Sequence, residues 1–191
     1  MLRLFSVVRL RDAMACALLC APLACAERNA GVVELAWVFV DRDGQPIYPA
    51  GVFTLNPQRD SCDLPATTDS GNTSIFYDLQ VQLEICDLTC AEGCDDPTCL
   101  VMDPLQFPCN TSRGSEREVP ASDEPYRFTL RTAVRSNANQ CLDPEPTCIA
   151  VPGPRDRTVT PGLVTDLQVY QISVDIPDQR ASLDLEECGC A

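Results

Sequence analysis

Residues 75–85, "IFYDLQVQLEI", decide the fold. Ile75, Tyr77, Leu79, Val81, Leu83 and Ile85 alternate with Phe76, Asp78, Gln80, Gln82 and Glu84. A period of two sends successive side chains to opposite faces, so this stretch predicts a strand with one buried and one wet face. "YRFTLRTAV" (126–134) repeats the pattern, with Tyr126, Phe128, Leu130, Thr132 and Val134 inward and Arg127, Thr129 and Arg131 outward. Upstream, "VVELAWVFV" (32–40) places Leu35, Trp37 and Phe39 on one face, and "DRDGQP" (41–46) turns the chain at Asp-Gly. "IYPAGVFTL" (47–55) predicts a short strand broken by Pro49, and residues 56–74 read as a loop holding Cys62. "MDPLQFPC" (102–109) predicts a short edge strand limited by Pro104 and Pro108, followed by a polar connection over 110–125. In "LVTDLQVYQISVDI" (163–176) the apolar phase changes between Val169 and Tyr170, which predicts a bulge there. No segment carries a 3.6-residue stripe. The expectation is an all-β chain: about six to eight strands in a single antiparallel β-sandwich, Ig-like or prealbumin-like, with long disulfide-stapled loops.

The formal net charge is −14, and all 14 basic residues are arginine; there is no lysine and no histidine. An acidic chain repels phosphate backbones and anionic surfaces, so no nucleic-acid partner is expected. Without lysine there is no Schiff base, and without histidine no Ser-His-Asp triad, Cys-His pair or histidine metal ligand. Carboxylate-pair chemistry, thiolate chemistry and oxygen-ligand cation sites survive this exclusion.

The N-terminus reads as an address. Residues 1–11 carry Arg3, Arg9 and Arg11, and 13–24, "AMACALLCAPLA", are small and apolar. That is the layout of a signal peptide, too short to span a bilayer. "PLAC" (22–25) partly matches a lipobox, with Ala24 and Cys25 in register, which makes Cys25 the expected lipidation site. Cleavage after Ala24-Cys25-Ala26 and an uncleaved start are the alternatives. Removal takes three arginines and one aspartate and leaves the body at about −16.

Of 13 cysteines, ten lie in the body: Cys62, Cys86, Cys90, Cys94, Cys99, Cys109, Cys141, Cys148, Cys188 and Cys190. An even number in an exported chain predicts disulfides, with the pairing left open. "CDLTCAEGCDDPTC" (86–99) has the spacing C-x3-C-x3-C-x4-C, without the C-x2-C knuckles of a zinc site or the C-x-x-C of a thioredoxin-type site. It is expected to be an acidic, cross-linked loop holding no metal. Cys188 and Cys190 are too close in sequence to bond each other, so each is expected to pin the tail to the body. Asp41, Asp43, Asp95 and Asp96 are the candidates for a cation, with solvated turns as the alternative. Tyr48, Phe53 and Phe107 are the aromatics that would mark a binding patch if exposed, and core if buried. Two sequons, at Asn72 and Asn110, indicate exposed segments.

The order of pieces ("ELAWVFVDRDG", Cys62 before "DLQVQLEI", "LQFPC", "VPASDEPYRFTLRTAV", then "PG" and a closing strand) resembles a group of bacterial surface lipoproteins with a prealbumin-like or carboxypeptidase-regulatory-like β-sandwich. The resemblance covers about residues 32–176 and implies fold and surface location, with no activity and no functional residues to carry over. The expected organisation is a signal peptide over 1–24, a tether over 25–31, a sandwich over 32–176 with a Cys-rich insert at 86–109, and an acidic tail over 177–191. The expected function is a lipid-anchored module of the bacterial envelope with a structural or binding role, no catalysis and no cofactor. Its partners are the membrane, through the lipid, and a protein or glycan at the cell surface. A cation- or metal-binding envelope protein is the alternative.

Overall fold

The computed structural model describes residues 29–48, 55–56, 61–67, 75–135, 140–175, 183–184 and 188–189. The leader, Cys25, Phe53, Asn72 and Cys190 lie outside the described residues, and Tyr48 and Cys62 are described in backbone alone.

The chain is built of strands: β1 (Ala30–Val40), β2 (Pro46–Tyr48), β3 (Leu55–Asn56), β4 (Ser61–Thr67), β5 (Ile75–Asp87), β6 (Leu105–Pro108), β7 (Arg113–Pro120), β8 (Tyr126–Arg135), β9 (Gln140–Leu142), β10 (Ile149–Ala150), β11 (Arg155–Arg157), β12 (Val164–Val174) and β13 (Leu183–Asp184). They form two sheets. One has the order β10-β12-β1-β2, with β7 also on β1; the other runs β11-β8-β5-β4-β13, with β3 on β4, β6 on β5 and β9 on β8. Leu79, Val81, Leu83 and Ile85 of β5 and Phe128, Leu130 and Val134 of β8 are buried in one cluster with Val33, Leu35, Trp37 and Phe39 of β1 and Tyr170, Ile172 and Val174 of β12. The sandwich is therefore present, with the inward faces read from the alternation at 79–85 and 126–134; the side chains of Ile75 and Tyr77 lie outside the described residues.

The pairing is not purely antiparallel. β1 and β12, the centre of the first sheet, run parallel, and so do β4 and β13. The bulge in β12 also falls earlier than its apolar pattern indicates. Glu34 pairs with Asp166 and Ala36 with Val169, so Leu35 faces both Leu167 and Gln168. Gln168 takes a positive φ of 63°, Leu167 stays buried and Val169 turns outward. The hydrophobic valine at the phase change looks like a core position, but the extra residue at Gln168 has already moved it to the wet face.

Two strands occupy segments expected to be loops. β4 fills 61–67, antiparallel to β5. β7 fills 113–120, antiparallel to β1, with only Gly114 and Val119 buried. The five-residue spacing of those two contradicts a period of two, and the register shift between Gly31 and Val33 accounts for it. Gly114 is a core position without a side chain because a Cβ there would lie 2.8 Å from two ring carbons of Phe107. That ring tilts against Trp37 at 6.1 Å between centroids, and Trp37 Nε1 donates to the Cys109 carbonyl at 3.2 Å. The sandwich also begins two residues before the expected boundary, at Ala30, and Cys86 belongs to β5 rather than to the insert after it.

The open edge between the sheets is closed by a strand that changes sheet. The chain pairs with β12 as β10, passes through Pro152, Gly153 and Pro154, and joins β8 as β11. Arg155 fills the seam: its guanidinium lies 3.9 Å from the Tyr170 ring centroid and Nη2 donates to the Val169 carbonyl at 2.8 Å. Burial holds the Tyr170 hydroxyl above the usual tyrosine range, opposed by the charges of Arg155 and Arg157. On the outer face of the second sheet, Arg131 bridges Glu84 at 2.8 Å and also reaches Asp143, an exposed network worth little in water.

Candidate functional site

The connection from β5 to β6 is the most elaborated part of the described chain. Leu83 of β5 already pairs with Leu105 of β6, yet β5 continues to Asp87 and residues 88–104 intervene. The returning chain is tied back by a bridge from Cys86 to Leu100 and by the Val101 amide, which donates to the Ile85 carbonyl at 2.8 Å. Between these ties the backbone advances by turns of three residues. Cys90, Gly93, Asp96 and Cys99 donate in succession to the carbonyls of Asp87, Cys90, Gly93 and Asp96, at 3.0–3.2 Å. Gly93 takes a φ of +80° in this series, a conformation that favours glycine.

Two disulfides cross-link the turns, Cys86 to Cys94 and Cys90 to Cys99. Their order is interleaved, so each staple encloses one end of the other. A local repeat accompanies them. Asp-x-Thr-Cys occurs at 87–90 and again at 96–99, and the two copies make the same contacts. Asp87 Oδ1 accepts from the Thr89 amide at 2.8 Å and its hydroxyl at 2.7 Å, and Asp96 Oδ1 accepts from Thr98 at 2.8 and 2.6 Å. These donors hold both carboxyls below the usual carboxylate range, the side-chain bond from threonine being the larger cause in each. The repeat is visible in the sequence and is the signal that cysteine spacing alone misses.

Glu92 stands on the same loop. Its Oε2 lies 3.4 Å from Cys90 Sγ and 4.0 Å from Cys99 Sγ. Neither sulfur carries a proton in the disulfide, so these are close contacts rather than hydrogen bonds. Cys90, Glu92 and Cys99 form a compact group with ligand atoms within 4.8 Å of one another. In the bonded state both sulfurs are committed to each other, and the group is a staple with a carboxylate against it.

The other sequence candidates fall elsewhere. Asp41 spends its carboxylate on its own turn, accepting from the amides of Asp43 at 3.0 Å and Gln45 at 2.8 Å, while Arg42 pairs with Asp175. Asp41 and Asp43 do not join Asp95 and Asp96 in a metal-like group among the described residues. Phe107 packs against the core rather than forming an exposed patch. Asn110 sits, half-buried, in a 3-10 turn over Cys109–Thr111. Cys148 bonds Cys188 and ties the tail to the turn before β10, where the Glu145 amide donates to the Cys188 carbonyl at 3.0 Å. Cys109 and Cys141 are also in disulfides.

Bonds of this number mark a chain that matures in an oxidising, extracytoplasmic compartment. No helix among the described residues is long and apolar enough to cross a membrane. Comparison with known proteins brings no match, whether to family models, to curated proteins or to solved structures.

Proposed function

We propose that the chain is a lipid-anchored module of the bacterial envelope with a binding or structural role and no catalysis. A protein or glycan partner would meet it at the stapled loop. The observation that carries this reading is the build of residues 87–104. A loop that β5–β6 pairing does not need is locked by two interleaved disulfides and four successive turns. It displays Asp87, Glu92, Asp95, Asp96 and Asp103, and no basic residue occurs from Cys86 to Ser112. Rigidity at an exposed polar surface lowers the ordering cost of binding, which is where preorganised loops gain affinity. The charge favours a partner surface that is basic. The anchor rests on Arg3, Arg9, Arg11, the apolar run before Ala24 and the partial lipobox ending at Cys25.

Two measurements test the two halves separately. Intact mass of the mature protein from its host reads acylation at Cys25, and unmodified protein beginning after Ala26 removes the anchor. Photo-crosslinking from a probe at exposed Ala91 in whole cells reads the partner. Charge removal by Glu92→Gln with Asp95→Asn is expected to abolish the adduct, and an adduct of unchanged yield would remove the loop as the binding surface.

A further inference from the structure

We infer that the Cys90–Cys99 staple is the oxidised form of a metal site: after reduction, the two thiolates and the Glu92 carboxylate hold a thiophilic cation of the zinc type. This rests on the loop itself and is independent of the lipid anchor. Among the described residues, Glu92 Oε2 has no N–H, hydroxyl or cationic partner; the structure sets it against the two sulfurs, at 3.4 and 4.0 Å. In a tetrahedral site with Zn–S near 2.3 Å and Zn–O near 2.1 Å, a sulfur and an oxygen ligand lie about 3.6 Å apart. The oxidised loop therefore already holds the carboxylate at ligand spacing from both sulfurs. Only the sulfurs must separate, from the bonded distance of about 2.05 Å to about 3.8 Å, a change within reach of side-chain rotation.

The surroundings favour a cation. Asp87, Asp95 and Asp96 lie on the same loop, and no arginine lies between Cys86 and Ser112 to compete for the carboxylate or pair with a thiolate. Like charge disfavours two bare thiolates there, and a divalent cation offsets that cost. The tie from Val101 to Ile85 and the turns closed by backbone hydrogen bonds keep the loop together when the staple opens. The step balances as follows. A dithiol donor gives two electrons and two protons and becomes a disulfide. The Cys90–Cys99 bond breaks and each sulfur takes one proton. Zinc then displaces both protons to solvent as the two S–Zn bonds form, leaving a fourth position to water.

The experiment uses the mature protein, reduced anaerobically by a graded dithiol, with Trp37 fluorescence reporting the buried core and zinc ions as probe. The expected result is one zinc per chain, retained through desalting, when Cys90 and Cys99 have opened and Trp37 emission is still that of a buried ring. The oxidised protein is expected to retain none. Cobalt substitution is expected to give thiolate-to-cobalt absorption. Cys90→Ser with Cys99→Ser is expected to lose the zinc. Glu92→Gln is expected to keep the thiolate band and weaken zinc by at least about tenfold, the lower end for losing even an outer partner of a metal site. Three results would overturn the inference: zinc bound equally by the double serine variant, zinc absent with both thiols open and the core intact, or a Cys90–Cys99 bond that opens only when the Trp37 signal collapses.

Discussion

Replacing Gly114 by alanine tests whether Phe107 is packed into the space that glycine leaves. The new Cβ would lie 2.8 Å from Cδ1 and Cε1 of Phe107 and 2.9 Å from Cε2. Carbon atoms in ordinary contact sit at about 3.5–4.0 Å, so the ring must retreat by about 0.8 Å. Trp37 lies against that ring, and its own position is fixed by the bond to the Cys109 carbonyl. Overpacking of this kind costs about 1–3 kcal/mol. Against it stands a gain of about 0.4–1 kcal/mol, because alanine restricts the unfolded chain. The expected net loss is about 1–2 kcal/mol, a fall in Tm of roughly 3–6 °C for a domain of this size. Trp37 is the only tryptophan and is buried, so urea unfolding followed by its fluorescence, with the disulfides intact, reads the change directly. The decisive arm repeats the substitution in a Phe107→Leu background. With the ring gone, Gly114→Ala should be neutral or stabilising by up to about 1 kcal/mol. An equal loss in both backgrounds would refute the packing account and place the cost in the backbone of β7.

Removing the Cys148–Cys188 bond by a double serine substitution, with a separation of 40 residues, is expected to cost about 4 kcal/mol, against about 2.6 kcal/mol for either loop staple, in denaturant unfolding. Asp87 and Asp96 have carboxyls held below their ordinary value near 3.8, so their turns are supported above that pH and lose support as pH falls through the lower native value. The amide resonances of Thr89 and Thr98 should therefore move together at a pH below 3.8, and Asp87→Asn should flatten the first curve alone. Tyr170 is held above 10, so its contribution is complete below pH 10 and is lost as pH rises toward the native value. In a titration at the tyrosinate band, one tyrosine should ionise late. Arg155→Met, which removes the facing charge, should delay it further while lowering stability at neutral pH.

The parts of the fold that could be read in the sequence are those where one face is apolar side chain and the other is polar. β5 and β8 are such strands, because they lie in the middle of a sheet with one face on the core and the other in water. β7 was hidden because its two inward positions are a glycine, shaped by Phe107, and a valine displaced by a bulge. β12 is legible as a strand, but its apolar pattern puts the bulge late because Val169 is apolar and exposed. Hydrophobic pattern cannot separate a buried valine from one turned out by an extra residue upstream. The parallel pairing of β1 with β12 leaves no local mark, since both are buried on one face as any sandwich strand is. In the candidate site the cysteines gave the cross-linked acidic loop, while the interleaved pairing depends on which sulfurs the turns bring together. The contact of Glu92 with the staple depends on a side-chain direction that spacing does not encode.

The duplicated Asp-x-Thr-Cys unit explains why this loop carries two staples rather than a core. Residues 88–98 contain one strongly apolar side chain, Leu88, so burial cannot hold them. Each copy instead closes its turn with a carboxylate that accepts two bonds from threonine, and each ends in a cysteine that bonds the other copy. The second staple then anchors the assembly to Cys86, which is buried at the end of β5. Charge is thus kept at the surface by hydrogen bonds that need it ionised, and the turns are cross-linked by sulfur. A loop of this design loses its cross-links by reduction and its charge-dependent turns by acid, along two separate routes. Reducing the bonds at neutral pH should leave the Thr89 and Thr98 resonances shifted by their aspartates. Acid at intact disulfides should release those shifts without opening the loop. If either treatment did both, the turns and the staples would be one cooperative unit, and the separation of charge from cross-linking argued from the Asp87 and Asp96 contacts would fail.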